Sequence, residues 1–196
     1  MDHEPRPPRP KQPANHPWAK TARQPPLGQN YMKRFPAFIY YPLQWTWGII
    51  QNLAGLVIFL ANARKPHFTF GNSVGTIWKR NESLSMGMFI FLAANLPGEI
   101  DKEDSELNKV AVHEYGHTFQ SMILGPFYLI AISAPSGLWC MVPGFENMRK
   151  NRKISYYKLY TERWANHLGR IVTNHLPCGY WETHTFDKRK KPKGKE

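Results

Sequence analysis

The residues best suited to chemistry are His113, Glu114 and His117, in the run His113-Glu-Tyr-Gly-His117. On a helix, two histidines four residues apart project from one face, one turn above the other, so both imidazoles can reach a single metal ion. Glu114 stands beside them, and a carboxylate there can take a proton from a water that the metal activates. That is the chemistry of hydrolysis. With eight His in 196 residues, chance would place His-Glu-x-x-His only about 0.02 times in the chain, so the pattern asks for a chemical reason.

The element that must carry this motif is a helix over Ser105–Met122. Asp101 and Asp104 or Ser105 offer N-caps, and Asp101, Glu103, Asp104 and Glu106 put negative charge at the positive end of the helix dipole. Leu107, Val110, Ala111, Val112, Tyr115 and Phe119 supply the apolar surface. Gly116 costs about 1 kcal/mol of helix propensity relative to Ala, a cost that makes sense where a second helix backbone packs against it.

A catalytic zinc usually has three protein ligands and an open fourth position. A third His six residues after His117 is ruled out because Ile123 stands there, and Gln120 occupies the position where that extended pattern needs Gly. A second helix over Ser155–Val172 puts Glu162, Ala165, Asn166 and Gly169 on one face. Small Ala165 and Gly169 let two backbones approach, Glu162 can reach the metal, and Asn166 can accept a hydrogen bond from the far nitrogen of a ligating His. Glu146, His167 and His175 are the competing third ligands.

HEYGH followed by Glu-x-x-Ala-Asn-x-x-Gly resembles the gluzincin peptidases. The similarity is greatest to the membrane family of the CAAX prenyl endopeptidases and the related bacterial heat-shock membrane protease, whose second motif reads Glu-x-x-Ala-Asp. It covers about residues 105–122 and 159–170. The resemblance implies that His113, His117 and Glu162 bind Zn2+, that Glu114 is the general base, and that Asn166 orients a ligand from outside the coordination shell. The chain departs from the pattern at Asn166, a neutral acceptor that orients the imidazole but raises its basicity less than Asp would. It is also far shorter than the multi-pass members.

The formal net charge of +12 suggests a nucleic-acid binder until it is located. Residues 1–34 carry seven Lys or Arg against Asp2 and Glu4, and residues 187–196 carry six against Asp187 and Glu196, so nine of the twelve charges lie in the tails. The remainder is too weak a field for nucleic acid, and basic tails near anionic lipid, or simple solubility, explain the balance better. Eight prolines and little apolar content make 1–34 a disordered basic leader without a secretory signal at Met1, and 187–196 a disordered basic tail. Cys140 and Cys178 are too few for a disulfide framework; they either pair or stand as free thiols.

Residues 35–65 read as a membrane or interfacial helix. Leu43–Ala63 has no charged residue over 21 positions, enough for a helix to cross about 30 Å of hydrocarbon. Tyr40, Tyr41, Trp45 and Trp47 crowd one end and Arg64-Lys65 closes the other. Gln44, Gln51 and Asn52 speak for the alternative, a buried or surface-lying helix.

Within 66–186, His67–Leu92 reads as three strands: HFTF, SVGTIWK and SLSMGMFIFL. A strand just before the motif helix can form the rim of a cleft and pair with an extended peptide. The uncharged segment 119–145 is long enough to span a bilayer. A single crossing would separate its ends by about 30 Å, so a bent or re-entrant hairpin, or a hydrophobic subdomain on the membrane, is expected, with breaks at Pro126, Pro135 and Gly137.

These readings combine into an α+β chain: a small zincin-like domain with a short antiparallel sheet, a motif helix and a glutamate helix, plus a membrane helix. The expected function is a membrane-associated zinc endopeptidase, in the cell membrane of a bacterium, with a polypeptide substrate, membrane lipid as partner and no nucleic acid. A non-catalytic zinc-stabilised membrane protein, or a scaffold or adaptor, is the alternative.

Overall fold

The computed structural model describes residues 35–183; the leader and the basic tail lie outside them. The fold is α+β. Two helices, α1 (Ala37–Trp45) and α2 (Ile49–Ala61), precede strands β1 (His67–Phe70), β2 (Ser73–Trp78), β3 (Leu84–Met86) and β4 (Phe89–Ala93). The motif helix α3 (Glu106–Leu124) follows, then α4 (Ala134–Met141), α5 (Pro143–Arg152), α6 (Tyr160–Thr173) and a final turn, α7 (Tyr180–Thr183).

The sheet has the order β1-β2-β4-β3 and is mixed, not antiparallel as the sequence suggested. β1 and β2 form an antiparallel hairpin, β4 runs parallel to β2, and β3 pairs antiparallel with β4 at the sheet's edge. The reason is that SLSMGMFIFL is a hairpin rather than one strand. Gly87 adopts φ +61, a conformation that L side chains avoid. Asn52 of α2 fixes the turn, its Oδ1 accepting the Met88 N–H at 2.9 Å. The chain thus crosses to the far edge as β3 and doubles back through the centre as β4. All five residues of β4 are buried, so it is a core strand rather than one with two contrasting faces.

Leu43–Ala63 is not one helix. α1 and α2 meet at 91°, and no single helix among the described residues is long and apolar enough to cross a membrane. The amides that looked costly in lipid bond across the bend. Asn52 Nδ2 donates to the carbonyl of Gln44 (2.5 Å) on the far side of the break and to that of Gly48 (2.9 Å), which also accepts the Asn52 backbone N–H. Gln44 Nε2 donates to Thr118 O at 2.8 Å and Gln51 Nε2 to Gly125 O at 2.9 Å, tying both helices to α3. Tyr40 is fully buried in the core formed by β4 and α3.

Ser105 caps α3, accepting the Asn108 N–H at 3.0 Å. Beyond Leu124 the segment 119–145 bends by 119° through a 3₁₀ turn at Gly125–Phe127 and a π-helical turn at Leu129–Ser133. Pro126 sits in that break, as expected of a residue that cannot continue the helix.

α6 crosses α3 with backbone against backbone. A Cβ placed on Gly116 would lie 1.9 Å from Ala165 O, and one on Gly169 would lie 2.2 Å from Val112 O. Gly116→Ala is therefore expected to lower stability by about 2–3 kcal/mol through overpacking. Gly137→Ala, in a helical position with open space around it, is expected to raise stability by about 0.5–1 kcal/mol. Denaturant titration of the two variants checks this, and equal stability of Gly116→Ala and wild type would contradict the close approach.

Candidate metal centre

The crossing at Gly116 and Gly169 brings one face of α3 against one face of α6. His113 and His117 point from the first helix and Glu162, in the first turn of the second, points back at them. All three are buried, and their ligand atoms lie within 4.8 Å of one another. Glu162 Oε2 is 3.0 Å from His113 Nε2 and 3.6 Å from His117 Nε2.

The orientation of each imidazole is set from its far side. Asn166 Nδ2 donates to Cys178 O at 3.0 Å, which leaves its Oδ1 to accept from His113 Nδ1 at 2.7 Å. Gln120 repeats the device: Nε2 donates to Thr161 O at 2.8 Å and Oε1 accepts from His117 Nδ1 at 2.6 Å. Both Nδ1 atoms carry a proton in this network, so both Nε2 atoms face the centre.

Glu162 is held by one oxygen only. Its Oε1 accepts from the Ser136 hydroxyl of α4 and from Thr161 Oγ1. Its Oε2 is buried with no hydrogen-bond partner and faces the two imidazoles. An orphaned buried carboxylate oxygen is costly unless a cation or a proton meets it, and two nitrogens and this oxygen are a donor set that fits a metal ion.

The protonation balance without metal follows from the same contacts. Burial acts to raise the Glu162 pKa, but the imidazoles of His117 and His113 outweigh it and hold the carboxyl well below the usual carboxylate range. Burial disfavours the charged form of His117, yet the Glu162 carboxylate, with Glu114 and Gln120, raises its pKa to about 9. A cation entering the centre has to displace that proton. Glu114 is buried as well; desolvation, its largest influence, pushes its pKa up against the pull of His113 and His117.

A cleft of about 680 Å3 opens onto this group. Edge strand β3 forms one wall through Leu84, Ser85 and Met86, and Tyr128, Ile132 and α4 form another, with Tyr156 and Tyr157 also lining it. The Tyr157 ring stands edge-on to His113 at 5.5 Å between centroids.

The competing third ligands lie elsewhere. Glu146 is exposed and pairs with Lys150, His167 faces solvent, and His175 pairs with Glu103 at 3.1 Å. Cys140 and Cys178 do not pair: both are free thiols, one exposed and one buried. Among residues near α6 that could meet a reacting oxygen, Tyr156 and Tyr157 line the cleft, whereas Tyr160 donates to Ala131 O at 2.5 Å and Arg163 is exposed.

Sequence reasoning missed Gln120, Thr161 and Ser136. Gln120 carried a signal, since a residue three after His117 shares its helix face. Ser136 carried none, because only the bend after α3 brings α4 over Glu162. Compared with protein-family models, curated proteins and solved structures, the chain matches none of them.

Gln120→Ala and Asn166→Ala are each expected to weaken metal binding 10- to 100-fold, the usual effect of freeing a ligand from its orienting partner. Competition with a chromophoric chelator measures this. Wild-type affinity in both variants would show that these amides do not set the ligand geometry.

Proposed function

We propose that this chain is a membrane-associated, zinc-dependent endopeptidase of the gluzincin type, with His113, His117 and Glu162 as zinc ligands and Glu114 as general base. The observation that carries the reading is the unpartnered Oε2 of Glu162, facing two imidazole Nε2 atoms, with a second buried carboxyl, Glu114, lining the same cleft. Two histidines and a glutamate are a donor set used by catalytic zinc. Zinc held there supplies Lewis acidity, which lowers the pKa of water and polarises a carbonyl.

The protein's own residues account for the remaining steps. Glu114 takes a proton from the attacking water as the new C–O bond forms, and gives it to the amide nitrogen as the C–N bond breaks. A carboxyl whose pKa is raised by burial suits both halves of that exchange. β3 supports the choice of an extended substrate. It pairs with β4 on one side only and lines the cleft, so its other edge is available to the backbone of an incoming chain. That pairing would hold a scissile amide whatever its side chains. Tyr156 and Tyr157 are the hydroxyls available to a developing oxyanion.

A second reading, in which the metal only clamps α3 to α6, draws on the depth at which all three ligands are buried. The two readings diverge at Glu114. Purified wild-type chain is expected to carry about one equivalent of zinc, and His113→Ala and Glu162→Ala less than about a tenth of that. Glu114→Gln is expected to keep the zinc and to lose about 10²–10⁴-fold in cleavage of a general protein substrate. Equal zinc in wild type and Glu162→Ala removes the ligand assignment. Full zinc with no loss of cleavage in Glu114→Gln removes the general base.

A further inference from the structure

We propose that the outer faces of α1–α2 and of the α3–α4 connection form one surface that docks into a single leaflet of an anionic bilayer without crossing it. This deepens the membrane-associated part of the reading above and needs no catalytic step.

Residues 35–63 and 118–145 contain no charged side chain. In both segments the core-facing polar side chains Gln44, Gln51, Asn52, Thr118, Gln120 and Ser121 are fully buried, whereas Thr46 is exposed. The outside is largely apolar, with Phe38 80%, Val57 66%, Phe127 62% and Ile130 76% exposed. Single exposed apolar residues need no explanation, but a continuous uncharged face does.

The two faces are joined. Trp47, in the bend between α1 and α2, donates from Nε1 to Ile123 O at 3.4 Å, and its ring covers Gly125 at the end of α3. Gln51 Nε2 ties α2 to the same glycine's carbonyl at 2.9 Å.

The geometry favours lying in a leaflet over crossing. α2 has 13 residues and is therefore about 20 Å long, short of the roughly 30 Å of a hydrocarbon core. Straightening α1 onto α2 would pull Gln44 and Asn52 from their partners on α3 and the β3–β4 turn and carry them into lipid.

Positive charge flanks the face, which selects anionic lipid over a second apolar protein surface. Arg64 and Lys65 follow α2, and exposed Arg152 and Lys153 close α5 just after the uncharged stretch ends. Apolar insertion combined with basic side chains at the headgroups is how peripheral proteins hold a membrane surface.

The test is flotation of the full chain with preformed vesicles of phosphatidylcholine and phosphatidylglycerol, 3:1, and of phosphatidylcholine alone. Wild type and Glu114→Gln are expected to float equally with the mixed vesicles, at least about threefold more than with neutral ones. The double variant Val57→Glu and Ile130→Glu is expected to bind at least about tenfold less, with an unchanged melting curve because both sites are exposed. Trypsin sealed inside the vesicles is expected to leave bound protein intact. Undiminished flotation of the double variant, cleavage from the vesicle interior, or a vesicle-free dimer that buries the face would each overturn the proposal. Loss of flotation leaves the zinc and Glu114 results untouched, so the two readings fail separately.

Discussion

Where α3 crosses α6, two helix backbones touch, and the candidate centre exists because they do. The contact is reciprocal: Gly116 makes room for the carbonyl of Ala165, and Gly169 makes room for the carbonyl of Val112. Any larger residue at either glycine would hold the axes apart by the thickness of a side chain. Because His113 and His117 flank Gly116, and Glu162 and Asn166 flank Ala165, that separation would be transmitted directly to the ligand atoms. Helix propensity is given up at two positions and the gain is geometric, since tight packing fixes side-chain positions that flexible ones would leave to entropy.

The second constraint is electrostatic. A buried carboxylate is tolerated only with compensation, and Glu162 receives it unevenly: two hydroxyls donate to Oε1, while Oε2 accepts no hydrogen bond and only faces the two imidazoles. The asymmetry is a consequence of chain path. Oε1 faces Thr161 on its own helix and Ser136 on α4, whereas Oε2 faces only α3. Gln120 and Asn166 then remove the remaining freedom, because each amide spends its donor on a backbone carbonyl and has only an acceptor left for histidine. The three side chains that could hold a cation are thus oriented by groups outside the cluster.

How much of this could be read from the sequence follows the range of the interaction involved. The motif helix, its cap at Ser105 and the shared face of Glu162, Ala165, Asn166 and Gly169 depend on spacings of three and four residues, and a helix expresses those locally. Gly116 was legible because its propensity cost is local even though its contact is not. The sheet was misread for the opposite reason. The run SLSMGMFIFL looked like one strand, and the turn at Gly87-Met88 is held by Asn52, more than thirty residues earlier. Ser136 escaped notice because the bend through Leu124–Ser133 is a tertiary event. The competing ligands Glu146, His167 and His175 could be set aside only when their directions were known.

Hydropathy misled most instructively over Leu43–Ala63. Counting uncharged residues measures the transfer energy of a helix as if every face met the same medium. Here the faces differ: the amides of Gln44, Gln51 and Asn52 bond to backbone groups of the core, while the opposite side is apolar. In lipid those amides would oppose insertion; in the core they anchor the helices at a right angle. The segment thus places its amides inside, among core-packed Tyr40, Leu56 and Phe59, while further apolar side chains face out. In 118–145 likewise, Gln120 and Ser121 face inward beside buried Phe119 and Met122, and Phe127 and Ile130 face out. One arrangement of side chains thus meets two demands. The inward amides bond across the bend and orient His117, and keeping every charged group off the outer face leaves a largely apolar surface beside a cleft whose α4 wall carries Ser136 against Glu162.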